Sequence, residues 1–145
     1  MRVALLNPPS YADFDGGAGS RYQATREVTS FWYPTWLCYP AGMIEGSKVI
    51  DAPAEHLTLE ETLGRLKGYD LVAIYTSAAS FNKDVQTAGS IKAQNSKALV
   101  AVVGPHPSAV PEECLRASNH IDFVCRREFD YTIKEVAEGR GLKDV

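Results

Sequence analysis

Two stretches of this chain carry the residue types best suited to holding a ligand. Tyr75-Thr76-Ser77-Ala78-Ala79-Ser80-Phe81 follows a short apolar run with hydroxyls and small side chains. Leu99-Val100-Ala101-Val102-Val103-Gly104-Pro105-His106-Pro107 passes from a continuous apolar run into Gly, Pro and His. The hydroxyls of Thr76, Ser77 and Ser80 both donate and accept hydrogen bonds. Gly104 has no Cβ and lets a ligand come close to the backbone. His106, between two prolines, either lines such a site or stiffens its own loop. This is the chemistry of recognition, with room for a flat or elongated ligand.

Bond-making chemistry finds less support. Cys38, Cys114 and Cys125 show no CxxC spacing and read as reduced thiols used as small hydrophobes. A nucleophile at Cys114 or Cys125 working with His106 lacks a recognisable base or oxyanion motif. His56 and His120 read as surface residues. Glu112-Glu113 reads as an acidic first turn facing a helix dipole, not as a catalytic pair. No catalytic or metal-ligating residue is assigned.

Two apolar runs that each end in small or polar residues require a framework that sets their ends side by side. The carboxyl edge of an open parallel sheet does this, and such sheets bind ligands there. The rest of the chain supplies the framework. A strand is predicted over 2–7, followed by Pro8-Pro9 and then by residues 10–34, about 25 of them, with no clear period. Connections that long are generally functional or disordered, and Phe31-Trp32-Tyr33 argues against plain disorder. A helix over 36–45 and a strand over 47–51 come next. Thr58 and Glu61 form a capping box opening a helix with Leu59, Leu63 and Leu66 on its apolar face, ending at Gly68. Strands over 70–75, 98–103 and 121–125 alternate with helices over 80–95, from Pro111, and over 128–138. The loop after the fourth strand holds Gly104 to Pro107.

The alternation predicts an α/β chain of the flavodoxin or Rossmann-like kind. It is a doubly wound, five-stranded parallel sheet of order 2-1-3-4-5 with helices on both faces. One domain is expected over 1–141, with a long loop at 8–35, and 142–145 read as the start of a linker to a further catalytic domain. With 145 residues, 45% hydrophobic and 23% charged, the chain has ordinary globular composition. A net charge of −3 argues against nucleic acid as a partner. No run approaches the ~20 apolar residues of a membrane span, and a cytoplasmic location is expected.

Several nucleotide-binding patterns fail. Gly16-Gly17-Ala18-Gly19 lies too far past the first strand for a dinucleotide fingerprint and precedes no clear helix. A P-loop is absent. Tyr75-Thr76 stands where a receiver domain needs an aspartate, and Pro8-Pro9 stands where a flavodoxin needs its phosphate loop.

A family resemblance remains. Leu5-Leu6-Asn7-Pro8-Pro9, Asp51-Ala52-Pro53, Asp70-Leu71-Val72, Gly104-Pro105-His106-Pro107, Pro111-Glu112-Glu113 and Ile121-Asp122-Phe123-Val124 come in an order and spacing that resembles the N-terminal cobalamin-binding domain of B12-dependent radical-SAM enzymes. Phe14 to Gln23, with Phe31 to Leu37, resembles the branch associated with hopanoid lipid biosynthesis. The resemblance covers essentially the whole chain. It implies cobalamin as cofactor, its corrin across the carboxyl edge and its nucleotide tail inserted past the loops after strands three and four. The cofactor-binding set it implies is Thr76, Ser77, Ser80, Phe81, Gly104, Pro105, His106 and Glu128. It also implies a parent enzyme with a radical-SAM barrel, a 4Fe–4S cluster and S-adenosylmethionine. The CxxxCxxC motif of that barrel is absent here, so the chain alone is not expected to be an enzyme. Two features depart from the pattern. Arg126-Arg127-Glu128 replaces a glycine-rich run after the fifth strand, and no DxHxxG motif supplies a histidine to the cobalt. The first departure leaves open an interaction domain of the same fold that holds no cofactor.

Overall fold

The computed structural model describes residues 1–10 and 34–144. Expectations placed on Phe14 to Gly19, Arg21, Tyr22, Arg26 and Phe31 to Tyr33 lie outside the described residues. Strands β1 (Val3–Asn7), β2 (Lys48–Asp51), β3 (Leu71–Tyr75), β4 (Leu99–Val103) and β5 (Phe123–Val124) form one sheet in the order β2-β1-β3-β4-β5. Every pairing in it is parallel. The predicted fold class is therefore the observed one. The helices are α1 (Thr35–Met43), α2 (Leu59–Arg65), α3 (Phe81–Gln94), α4 (Pro105–Ala109), α5 (Pro111–Ala117) and α6 (Asp130–Ala137).

The central strands are apolar at nearly every position because both faces are covered. Ala4 and Leu6, Val72 and Ile74, and Val100 and Val102 pack with Leu66, Ala88, Ile91 and Cys114 on one face. Val3 and Leu5, Leu71 and Ala73, and Ala101 and Val103 pack with Leu37, Ile133 and Val136 on the other. Burying each large aliphatic side chain contributes about 1.5–3 kcal/mol, so β1, β3 and β4 make a stiff base for whatever leaves their ends.

Three local expectations are corrected. Gly104 to Pro107 is not an irregular loop, because Pro105 starts the short helix α4. Pro105 and Pro107 fall among the first helical positions, where the missing N–H groups would have had no helical partner. In α2 the capping box forms as predicted, with Glu61 N donating to Thr58 Oγ1 at 3.2 Å and Thr58 N to Glu61 Oε2 at 2.8 Å. These bonds to Thr58 hold the Glu61 carboxyl below its usual pKa. Leu59, however, is 39% exposed, and Thr62 is buried with its hydroxyl on Thr58 O at 2.7 Å. Starting the helix at Leu59 points positions 62 and 66 inward together.

The last strand is the third correction, since β5 is two residues long. A side chain takes over the pairing. Asp122 Oδ2 accepts the Val100 N–H at 2.6 Å and holds Lys92 Nζ at 2.6 Å, and Lys92 also donates to Ala98 O at 2.7 Å. Both side chains are mostly shielded, at 14% and 24% exposure. Asp122→Ala would leave the Lys92 charge and a backbone N–H without their partner. We expect a loss of about 2–3 kcal/mol in urea unfolding, with the strand order unchanged.

Candidate functional site

β3 and β4 end level, Tyr75 beside Val103, and the pairing runs one residue further where Thr76 N donates to Val103 O at 2.9 Å. From there the two connections separate across the carboxyl edge. After β3, the chain makes a tight turn closed by its own hydroxyls. Ser80 Oγ lies 3.4 Å from Thr76 Oγ1 and 3.3 Å from Ser77 Oγ, and it accepts the Ser77 N–H at 3.2 Å. Ser80 precedes α3 but makes no side-chain cap to it. The three predicted hydroxyls thus come together, but Thr76 and Ser80 are fully buried beneath the turn. Ser77 is half-buried at the rim, followed by the exposed Ala78 and Ala79.

After β4, Gly104 adopts φ +116° and ψ −168°, a conformation that essentially only glycine tolerates. A Cβ there would lie 2.5 Å from Thr76 O and 3.0 Å from Tyr75 Cε2. The space a side chain would need is filled by this chain's own β3 connection. Gly104 therefore lets the two connections touch. Pro105 is exposed. The half-buried His106 ring packs on Phe81, with centroids 4.7 Å apart and planes at 52°.

Ser108, which the sequence reading did not single out, ties the next connection in. Its hydroxyl donates to Gly104 O at 2.7 Å and accepts the Arg127 N–H at 2.8 Å. Arg127 itself has φ +55°, so this arginine adopts the left-handed backbone usual for glycine, at a cost of roughly 1–2 kcal/mol. The missing glycines after β5 thus leave the glycine-like conformation in place. Glu128 is exposed beside it. Burial, and then the Glu128 charge, push the Asp130 carboxyl pKa up.

On the α1 side of the same edge, Asn7 ends β1 and Trp36 stacks on Tyr75, with ring centroids 4.9 Å apart. Asn7 Nδ2 donates to Asp51 Oδ1 at 2.7 Å. Among the described residues, Asn7 Oδ1 and Trp36 Nε1 are the buried side-chain polar atoms with no hydrogen-bond partner. Periodicity does not reveal either one, because it reports which residues are apolar and not which polar atoms lack partners.

The thiols do not form a nucleophilic site. Cys114 and Cys125 are buried. Burial raises both pKa values, that of Cys125 to about 12, and Glu113 adds to the rise at Cys114. Both states of a thiol whose pKa is raised by folding are protonated at neutral pH, and stability falls as pH climbs from the unfolded value of ~8.5 toward the folded one, because the unfolded chain ionises first. With an aromatic disulfide reagent at pH 8 we expect the exposed Cys38 to react quickly and the other two only after denaturant is added. Rapid reaction of Cys125 in the native protein would restore it as a candidate nucleophile. Among the described residues, no cluster of His, Cys, Asp and Glu could hold a metal ion, and no helix is long and apolar enough to cross a membrane.

A parallel 2-1-3-4-5 sheet with a turn of small residues at its carboxyl edge is the frame that comparison with known proteins resolves. The model of the B12 binding domain matches residues 24–137. The chain belongs to the B12-binding domain family. As a B12-binding domain it is a cobalamin-binding module. An uncharacterized methyltransferase of Pyrococcus horikoshii is 34% identical to it over 155 residues. That match covers 100% of this chain and 31% of the methyltransferase's length. No solved structure matches the B12-binding domain described here.

Proposed function

We propose that this B12-binding domain is the cofactor-holding part of a larger cobalamin-dependent enzyme. The corrin would lie across the carboxyl edge of the sheet, and the nucleotide tail would reach below the rim. The observation that carries this reading is the edge itself. Small exposed side chains at Ala78 and Ala79 leave the rim low, while buried polar atoms lie unpartnered on Asn7, at the end of β1, and on Trp36, against Tyr75. These residues fit a ligand with a broad, amide-fringed ring and a narrow polar appendage.

In this reading Ser77, Phe81, Pro105, His106 and Glu128 line the ligand. Thr76 and Ser80 hold the turn that presents Ser77. Gly104 joins the two connections that flank the tail. When bound, cobalamin supplies a cobalt that takes up and gives away a one-carbon or alkyl group. The protein's part is to hold it in place and cover it. The methyltransferase name of the Pyrococcus relative favours methyl transfer as the parent reaction. The resemblance to B12-dependent radical-SAM enzymes adds a barrel partner with a 4Fe–4S cluster and S-adenosylmethionine. A role in hopanoid head-group synthesis rests on residues 14–37, most of which lie outside the described residues.

The test is titration of the purified chain with hydroxocobalamin, followed by gel filtration and visible absorbance. The expected result is co-elution, with the spectrum of a cobalamin whose benzimidazole has left the cobalt. Absence of co-elution at high micromolar cobalamin would refute retention by this chain. If a longer parent protein also failed to bind, an interaction domain without cofactor would be the better reading.

A further inference from the structure

Arg127 lies in the connection that leaves β5 at the carboxyl edge, in a backbone conformation that suits glycine. Its φ is +55°, and a glycine would take that angle without steric cost. An arginine is therefore not what the turn itself needs. The turn is nevertheless held closely. Arg127 N donates to Ser108 Oγ at 2.8 Å, and Ser108 Oγ donates to Gly104 O at 2.7 Å. One hydroxyl thus ties the Arg127 backbone to the residue that ends β4.

The side chain is exposed and unclaimed. Most arginines among the described residues have work within the fold. Arg65, Arg116 and Arg140 each hold a carboxylate, at 2.6, 2.7 and 2.7 Å, and Arg2 donates to Gly68 O at 3.0 Å. Arg126 and Arg127 differ. Among the described residues, neither guanidinium makes an ion pair or a hydrogen bond, and both side chains are exposed. The acidic neighbours Glu128 and Asp130 do not engage them. Burial and the Glu128 charge raise the Asp130 carboxyl pKa, and neither arginine offsets that rise.

We infer that Arg127 is a corrin-binding residue, whose guanidinium donates to the amide carbonyls fringing the ring. The inference rests on the cobalamin reading above and adds to it a side chain outside the set named there. A guanidinium has five N–H donors and no acceptor, and amide oxygens are neutral acceptors that match it. An exposed side chain at the carboxyl edge is placed for a ring lying across that edge. The Ser108 bond fixes the backbone in advance, so less freedom is lost when the side chain closes on the ligand. Arg126 has no such tether, so the effect belongs to Arg127.

The experiment compares hydroxocobalamin with cobinamide, which keeps the corrin amides and lacks the nucleotide. Affinities and urea midpoints are measured for the unaltered chain, Arg127→Gly and Arg126→Ala. Arg127→Gly suits the backbone and removes only the side chain. It is expected to weaken both ligands about tenfold, the worth of a hydrogen bond from a charged donor, with a urea midpoint no lower than that of the unaltered chain. Arg126→Ala removes the same charge one position away and should change either affinity less than twofold. Unchanged affinities in Arg127→Gly would overturn the assignment while the cobalamin reading stands. So would a loss confined to cobalamin, a lowered midpoint, or an equal loss in Arg126→Ala. Failure of the unaltered chain to bind either ligand would overturn both readings for this chain.

Discussion

Gly104→Ala is expected to destabilise this domain by about 2–6 kcal/mol, a large share of what a domain of this size has. Two independent costs add. The backbone at φ +116° and ψ −168° lies in a region that costs a non-glycine residue roughly 1–3 kcal/mol. The new Cβ would also sit 2.5 Å from Thr76 O. That atom is backbone at the end of β3 and cannot swing aside, so the strand ends would have to separate. Overpacking of this kind costs a further ~1–3 kcal/mol. Urea unfolding with an unchanged slope would give the difference directly. A cost below about 0.5 kcal/mol would mean that the β4 connection relaxes freely, contrary to the close approach seen here. Because the same change pulls on Ser108 and Arg127, any loss of cobalamin binding in Gly104→Ala reports damage to the frame. It does not report blockage of a channel.

Ala78→Trp separates those effects. Ala78 is exposed in the turn after β3, so an indole there meets solvent and not core. Stability should change by no more than ~0.5 kcal/mol. The ring would raise the low rim where the corrin is proposed to lie. A steric penalty of ~1–3 kcal/mol corresponds to about a tenfold to hundredfold weaker Kd for hydroxocobalamin. The pair of measurements, thermal midpoint unchanged and cobalamin affinity reduced, places the ligand on this edge. Unchanged affinity with full stability would move the ligand elsewhere on the molecule.

Strand positions and sheet order were legible because they depend on runs of apolar residues that the chain shows in order. Leu99 to Val103 could hardly be anything but a strand buried on both faces. The Thr58–Glu61 capping box was equally plain, since both partners lie within one turn. Other features depend on contacts between distant segments. The inward set of Thr76 and Ser80 follows from how closely the β3 connection meets Gly104. Ser108 gains its importance only once Arg127 arrives 19 positions later to donate to it. β5 begins only at Phe123 because the Asp122 carboxylate, just before it, takes a backbone donor that an earlier start of the strand would have used. None of these is written in local periodicity. Asn7 illustrates the difference. Its neighbours Pro8 and Pro9 marked the end of a strand, but the unpartnered state of its carbonyl oxygen is a property of the assembled edge.

The brevity of β5 also bears on how copies of this chain behave in crowded solution. Open sheets invite other chains to add a strand at their margins, and long, flat outer strands are the usual route to aggregation. Here the outermost strand on one side offers only Phe123 and Val124. The neighbouring Val100 N–H is already occupied by the Asp122 carboxylate. An incoming strand would find too short a template to register against. The carboxylate that supports the fold from within thus also keeps this margin of the sheet from recruiting another chain.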